Sequence, residues 1–556
     1  MNQNIRNVLF FLIIFCSIFN QIPYAINLPT NIFGWAFDKL STYPILIALI
    51  YTLYCQYKYK NVIVNFKYFK KYIFIYFLFA ILSLLIGLYK YPYFDLILNS
   101  SESQIGKLEI IIQLFNSYDI EINKKLLLQS YLFIRTIKGI FFEIIFSFGF
   151  AYIIYCWYYE DWKEAFKIFL KATIFSFVVI VFIGSIDAFY LSGSIDAKNI
   201  LEFITPYLHY INRDYGWWPP LLWKNQLRSV FSEPSYFGIW MSIAFPFLCY
   251  KIIKNDSTKT KITYYFFLFI VLFLYFLTQA RTGLALLIIE LILLGIFSFY
   301  LKKYDIDILK NFIIIIFCAL VAFTFSSNFI FYNNLSINAT ASTDTNVLTN
   351  NAASADTNVL TNNAASADTN LLTNNAASAD TNLLTPNTMS INKYLENNFI
   401  SIFNLSSRSN SPRLSLIFAN IKIGIENPLF GVGKYLVSGY MPERLPYFSK
   451  DNAEVKSWID AINKKGIIKQ GFPSFCQFTY IFAESGIIGF IIYFLPILLL
   501  IKKIIKEYIK HLEYVVLLIA ILGFLLTGFS NLFYQNYYYW IILGLGYIMC
   551  FHKNDL

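Results

Sequence analysis

Long apolar runs recur along this 556-residue chain and constrain its fold more than any other feature. A run of about 20 apolar residues forms a helix long enough to cross the roughly 30 Å hydrocarbon core of a bilayer. The runs do not alternate with polar residues, which favours helices over the strands of a barrel. Only 14% of the residues are charged, against about a quarter in a soluble domain. We therefore predict an all-α, polytopic transmembrane helical bundle.

The apolar runs predict about twelve spans, with a long outer loop between the ninth and the tenth. The chain then divides into the first nine spans (residues 1–331), the loop (residues 332–476) and the last three spans (residues 477–556). The predicted spans are 7–25, 40–56, 72–89, 137–158, 169–190, 235–253, 262–279, 281–301, 309–331, 477–501, 513–533 and 537–552.

Lysine residues predict the orientation of the bundle. With the N-terminus inside, the short inner connections contain many Lys residues, as in 58–71, 251–261 and 502–510, whereas the short outer connections contain almost none. Membrane proteins keep an excess of basic residues in their cytoplasmic loops. We therefore predict that both termini are cytoplasmic. The net charge of +11 reflects this bias and does not indicate binding to nucleic acid.

Arginine has the opposite distribution, because only Arg6 of the eight Arg residues lies on the predicted inner side. A guanidinium offers a planar, two-pronged donor that matches phosphate or carboxylate oxygens in a way that Lys cannot. This distribution favours an anion site on the outer face over the alternative that the outer loops are simply longer. The outer Arg residues are Arg135, Arg213, Arg228, Arg281, Arg408, Arg413 and Arg444.

A twelve-residue repeat occupies residues 345–392 of the long outer loop. TNVLTNNAASAD at 345–356 recurs at 357–368 and, with one change, at 369–380, and then decays. A polar period without aromatic residues cannot build a core, so we expect it to be disordered or loosely ordered. We interpret it as a spacer and not as the active site.

The loop regains helical periodicity after the repeat. Ser411 is a good N-cap and Pro412 a good first helical residue, and they predict an amphipathic helix over 411–427. The free N–H groups at its start, beside Arg408 and Arg413, are a second reason to expect an anion site.

Four segments on the predicted outer side follow one another in a distinctive order. They are RSVFSEPSYFG (228–238), LTQARTGLALL (277–287), PRLSLIFANIKIGIENPLFGVG (412–433) and FAESGIIGF (482–490). In these segments the chain resembles the O-antigen polymerase and O-antigen ligase family of polytopic glycosyltransferases. The resemblance extends over roughly residues 225–500.

The resemblance implies both a substrate and a location. The substrate would be an undecaprenyl-pyrophosphate-linked oligosaccharide, polymerised on the outer face of the bacterial cytoplasmic membrane into an O-antigen or a capsule. Membrane lipid and a chain-length regulator protein would be its partners. The only DxD motif, Asp305 to Asp307, lies on the predicted inner side, and the seven Cys residues are scattered singly. We therefore predict a metal-independent reaction without a cofactor.

The family's pyrophosphate-binding Arg residues correspond to Arg228 and Arg413, and Arg281 occupies the ART turn of the family pattern. Glu233 is the nearest candidate for the base that deprotonates the acceptor hydroxyl, although it could equally be the N-cap of the sixth span. These four are the predicted catalytic residues. The predicted substrate-binding residues are Arg408, Ser235, Tyr236 and Lys434.

We single out three acids inside predicted spans, namely Glu143, Glu290 and Glu484. Acids at such depth are costly and are functional candidates by default. Glu143 and Glu290 could instead be neutral, or paired with a basic residue such as Arg281 or Lys138. We count none of the three as catalytic.

Two alternatives remain beside the polymerase. A ligase, which transfers glycan to lipid A-core, typically carries a His shortly before the AE-G stretch, and GFPSFCQFTYIFAESG (471–486) has none. A flippase or transporter of lipid-linked oligosaccharide would show internal repeats among its helices and short loops on both sides. The polymerase is therefore favoured.

Overall fold

The computed structural model describes residues 2–19, 22, 39–60, 63, 66–98, 103–209, 226–303, 305–351, 396, 410–449, 451–468, 470–533 and 536–551. Within these ranges the regular secondary structure is helical and no strand forms. The predicted all-α class is confirmed for this part of the chain.

The α-helices of the described ranges are named in chain order. They are α1 (Gln3–Cys16), α2 (Thr42–Tyr59), α3 (Lys67–Lys90), α4 (Phe94–Leu98), α5 (Ser103–Asn116), α6 (Lys124–Ile144), α7 (Phe150–Tyr158), α8 (Trp162–Leu191), α9 (Ile195–Leu208), α10 (Pro234–Ile253), α11 (Thr258–Leu277), α12 (Arg281–Leu301), α13 (Ile306–Asn351), α14 (Asn410–Glu426), α15 (Val437–Arg444), α16 (Ala453–Lys465), α17 (Gln477–Lys503), α18 (Leu512–Thr527) and α19 (Tyr537–Cys550). A π-helical turn, Ile145–Gly149, joins α6 to α7.

Eight helical segments of the described ranges are long and apolar enough to cross a membrane. They lie in α3, in α6 continued through α7, in α8, in α10 to α13 and in α17. Helices α1, α18 and α19 are apolar but shorter. Each predicted span overlaps a helix, but the structure supports a helical membrane bundle with eight candidate spans, not the full set of twelve.

Helix α13 continues well beyond the predicted end of the ninth span. Residues 332–351, which the prediction places in the outer loop, continue this helix. This stretch contains neither Gly nor Pro, so no residue in it interrupts a helix. The helix includes the first seven residues of the repeat, and residues 352–392 lie outside the described residues. The helix predicted over 411–427 corresponds to α14.

The apolar interior of the described residues consists of two clusters. In the larger cluster α19 is buried along its whole length, and most of α10 and α18 is buried as well. Other helices and not lipid surround α19, so its length need not match the thickness of the bilayer. The smaller cluster packs α14, α15 and α16 against α3, α4 and α6.

Helix α17 is broken at Gly486, where φ is 64° and ψ is −169°. This region of backbone space is essentially restricted to glycine. An unbroken helix would pair the amide of Ile487 with the carbonyl four residues earlier. The amide of Ile487 donates instead to the carbonyl oxygen of Pro428, at 2.8 Å. The break therefore depends on a segment from outside the helix.

Residues 428–433 form hydrogen bonds with the backbone groups exposed at the break, and we call this segment the insertion loop. Its amides at Val432 and Gly433 donate to the carbonyl oxygens of Ala483 and Glu484, each at 3.0 Å. Unpaired backbone groups inside a bilayer cost several kcal/mol each. The insertion loop thus satisfies the groups that the break exposes.

Two glycines allow the backbones to approach this closely. A Cβ atom on Gly431 would lie 2.4 Å from the carbonyl oxygen of Glu484, and one on Gly486 would lie 2.4 Å from that of Leu429. Any side chain at either position would push the insertion loop out of the break. This requirement explains the glycines of GVG and AESG.

We predict that Gly486→Ala lowers the melting temperature of the detergent-solubilised protein more than Gly193→Ala does. Both glycines have positive φ, but a Cβ on Gly193 meets no atom of the described residues within 4 Å. Gly193→Ala should therefore cost only the backbone strain, about 1–2 kcal/mol. Gly486→Ala adds overpacking of about 1–3 kcal/mol. Equal losses for the two variants would contradict the described packing.

Candidate functional site

Two basic and two acidic residues lie at the starts of four helices, and one of them feels the charges of the other three. Glu233 is the N-cap of α10, Arg281 is the first residue of α12, and Arg413 and Glu454 lie in the first turns of α14 and α16. The charges of Glu233, Arg281 and Glu454 all act on the guanidinium of Arg413. We call these four residues the arginine cluster. Because helix N-termini carry partial positive charge, their convergence favours an anion.

A glycine contact holds the starts of α10 and α12 together. A Cβ atom on Gly238 would lie 2.8 Å from the Cα of Gly283, and one on Gly283 would lie 2.9 Å from the Cα of Gly238. The two backbones therefore touch within two turns of Glu233 and Arg281. This contact explains the glycines of SEPSYFG and ARTG.

The two arginines of the cluster keep unused donor capacity. The Nη1 atom of Arg281 is buried and has no hydrogen-bond partner among the described residues. The guanidinium of Arg413 lies over the ring of Phe475, 5.1 Å from its centroid. Burial lowers the pKa of Arg413, whereas Glu454 and Glu233 raise it. The guanidinium of Arg413 remains charged at neutral pH, since Arg does not lose its proton in proteins.

Glu233 holds the N-cap position of α10 but its side chain makes no capping hydrogen bond. Its Oε2 instead accepts a hydrogen bond from the hydroxyl of Ser235, at 3.2 Å. Burial raises the pKa of Glu233 above its usual range, and Ser235 and Arg413 oppose this rise. The capping alternative is thus not realised in this structure. The negative charge of Glu233 also interacts electrostatically with the hydroxyl of Tyr236.

Arg228 belongs to a second buried cluster. The Oδ2 atom of Asp187 accepts hydrogen bonds from the backbone amides of Arg228, at 3.2 Å, and Ser229, at 2.6 Å. Burial lowers the pKa of Arg228 to about 10, against the opposing charge of Asp187. Burial and Arg228 hold the pKa of His209 well below its usual range, so this imidazole is neutral. Asp187 therefore fixes the backbone that presents Arg228.

Lys434 lies in a buried group that we call the lysine cluster, with Glu143, Glu484 and Tyr76. Its ammonium is 2.7 Å from Glu143 Oε2 and 3.6 Å from Glu484 Oε2. It also donates to the hydroxyl of Tyr76, at 3.2 Å, which donates to Glu143 at 3.1 Å. Burial alone would lower the pKa of Lys434, but the two carboxylates raise it well above its usual range.

Lys434 links three helices through these contacts. Tyr76 is on α3, Glu143 on α6 and Glu484 on α17, and Lys434 directly follows the insertion loop. Only 7% of Lys434 is exposed, so its ammonium acts on these three helices and not on an open surface. Arg408, the other basic residue predicted to bind substrate, lies outside the described residues.

Sequence reasoning missed several members of these clusters, including Asp187 and Glu454, and one pairing. Asp187 lies inside the predicted span 169–190, so its depth could have identified it. Glu454 carries no signal in the sequence. The prediction offered Arg281 or Lys138 as partners for Glu143, but its partner is Lys434. The Oε1 atom of Glu290 is buried and has no hydrogen-bond partner within the described ranges.

No protein-family model, curated protein or solved structure matches the chain. The resemblance to the O-antigen polymerase and ligase family therefore rests on the four sequence motifs. The structure itself establishes a helical membrane protein.

We predict that Lys434→Met destabilises the protein by about 3–5 kcal/mol, because it leaves buried carboxylates without a counter-charge. The double variant Lys434→Met, Glu143→Gln should recover part of this loss. Both effects can be measured as shifts in the melting temperature in detergent. Lys456→Met is the matched control, because the Lys456–Asp451 ion pair is exposed and should contribute little. A control loss as large as that of Lys434→Met would contradict the assignment.

Proposed function

We propose that this protein is a membrane glycosyltransferase of the O-antigen polymerase type. It would join undecaprenyl-pyrophosphate-linked oligosaccharide units into an O-antigen or a capsule on the outer face of the bacterial cytoplasmic membrane. The observation that carries the proposal is the arginine cluster, in which Arg281 and Arg413 meet at converging helix N-termini beside Glu233. An anion site of this kind suits a diphosphate.

The proposed reaction requires a negative charge to be stabilised. A hydroxyl of the acceptor unit attacks the anomeric carbon of the growing chain, and the bond from that carbon to the pyrophosphate oxygen breaks. The electron pair leaves with the lipid pyrophosphate, whose charge Arg281 and Arg413 would stabilise through guanidinium hydrogen bonds. The buried, unpartnered Nη1 of Arg281 is a donor available for this purpose.

Glu233 is the proposed base, which takes the proton of the acceptor hydroxyl. Its carboxylate is not committed to a helix cap, and its pKa is raised by burial. A base with a pKa closer to neutrality accepts a proton more effectively at neutral pH. The hydroxyl of Ser235 would orient the carboxylate through the hydrogen bond to Oε2.

The proposed topology has twelve spans, with both termini in the cytoplasm and residues 332–476 outside. Helix α10 supports this proposal, because the arginine cluster lies at its start and Lys251 lies in its last turn. Lys residues at the cytoplasmic ends of helices agree with the positive-inside pattern. A chain-length regulator protein is the proposed partner in the membrane.

We predict that Arg281→Ala and Arg413→Ala each lower polymer formation by about 100- to 1,000-fold, the usual cost of removing one preorganised donor. In a deletion strain carrying either variant, gel analysis of surface glycan should show single repeat units. Lysine at either position should restore little activity, because it lacks the planar fork. Arg228→Ala should also lose activity, with Asp187→Asn giving a smaller loss through the backbone of Arg228.

Arg135→Ala is the matched control, since Arg135 is exposed on α6 and is also predicted to lie at an outer helix end. Protein level in the membrane fraction must be equal for all variants. A normal ladder of chain lengths from Arg281→Ala and Arg413→Ala would overturn the proposal. Full-length polymer that stays on its lipid carrier, with none on lipid A-core, would instead indicate a ligase.

We predict that Glu233→Gln lowers activity by about 100-fold or more without lowering stability at neutral pH. Folding raises the pKa of Glu233. The free energy of unfolding of the wild type therefore falls as the pH rises from about 4.3, the usual pKa of Glu, through the raised pKa of the folded state. The melting temperatures of the two proteins should therefore converge below about pH 4. Wild-type activity should rise over the same interval as Glu233 ionises. Retained activity in Glu233→Gln would exclude Glu233 as the base.

A further inference from the structure

A groove lies between α8, α10 and α11, at the end of α10 opposite the arginine cluster. Its cavity volume is about 750 Å³, and a second cavity of about 410 Å³ adjoins it. The two share Ile174, Val178 and Tyr264 in their walls, so they form one continuous groove. The larger volume falls within the range of ligand sites, about 300–1,000 Å³.

Three Lys residues form a stripe along the α8 side of the groove. Lys163, Lys167 and Lys171 follow one another at a spacing of four residues, which places them on the same face of a helix. At 1.5 Å per residue, Lys171 lies about 12 Å deeper along the helix than Lys163. Two more lysines complete the basic lining: Lys251 from α10 and Lys259 from α11.

The acids near the groove leave most of these ammonium groups uncompensated. Glu164 pairs with Lys167 at 3.5 Å, and Glu513 accepts a hydrogen bond from the hydroxyl of Tyr250 at 2.9 Å. Among the residues that line the groove, Glu513 is the one acid, against five ammonium groups. Lys171 forms no ion pair with any of the residues that the structure describes. A charged residue at this depth in an apolar helix is costly unless a partner approaches it.

The groove becomes apolar beyond Lys171. Ile174, Phe175 and Val178 continue the wall of α8, and Phe267 of α11 faces the second cavity. Phe175 is 46% exposed and Val178 is 49% exposed, so this wall is open to the surrounding lipid. Trp162 at the start of α8 lines the other end, and Trp residues are typical of the membrane interface.

We propose that this groove binds an anionic glycerophospholipid. The phosphate would lie among Lys167, Lys171 and Lys251, and an acyl chain would extend along Val178 toward Phe267. The basic lining is complementary in charge to an anionic headgroup. The change from basic to apolar residues along one face of α8 favours a lipid over a free anion. Basic pockets between helices at the membrane interface bind such headgroups.

The test measures binding of a fluorescent phosphatidylglycerol to the full-length protein in neutral detergent. The triple variant Lys167→Gln, Lys171→Gln, Lys251→Gln should bind on the order of 100-fold more weakly, because each ammonium near an anionic headgroup contributes about five-fold. Phosphatidylcholine should bind poorly to both proteins. Wild-type affinity in the triple variant would overturn the proposal.

Two controls keep the result decisive. The variant Lys60→Gln, Lys71→Gln, Lys506→Gln removes three exposed charges that do not line the groove and should bind like the wild type. Val178→Trp fills the groove without changing its charge, and it should also weaken binding. It serves as the second test if the triple variant elutes as an aggregate in size exclusion. Displacement of the lipid by an equal concentration of inorganic phosphate would show a simple anion site and overturn the proposal.

Discussion

The hydrogen bonds between the insertion loop and the break in α17 are the interaction on which the rest of the site depends. A helix cannot be broken inside a bilayer unless another segment pairs with the exposed backbone groups. Residues 428–433 supply those partners, and Lys434 then anchors the loop between Glu143 and Glu484. The loop, α3, α6 and α17 are therefore held as one unit.

The position of the arginine cluster follows from this anchor. Helix α14 leads directly into the insertion loop, and Gly424 lets it lie against α17, since a Cβ atom there would be 2.3 Å from Phe482. Arg413, at the opposite end of α14, is consequently directed to the starts of α10 and α12. There Gly238 and Gly283 hold Glu233 and Arg281 together. The position of the glycines within each motif thus reflects close packing.

Two features of the proposed site lower the stability of the folded protein. A buried guanidinium nitrogen of Arg281 has no hydrogen-bond partner in the part of the chain that is described, and burial opposes the ionisation of Glu233. Both would become favourable when a diphosphate and an acceptor hydroxyl are bound. Such local costs are expected at functional sites, where stability and activity compete. In the lysine cluster, by contrast, the buried ammonium has two carboxylate partners.

The sequence by itself determined the helical membrane class, because hydrophobic length is a local property of each run. It also predicted the start of α14 from Ser411 and Pro412, and it singled out Arg281, Arg413 and Glu233, which the structure brings together. Only the tertiary structure decided that Lys434 pairs with Glu143 and Glu484, that Asp187 holds the backbone of Arg228, and that Glu233 caps nothing. These contacts join segments far apart in the chain, and hydropathy does not encode which buried charges meet.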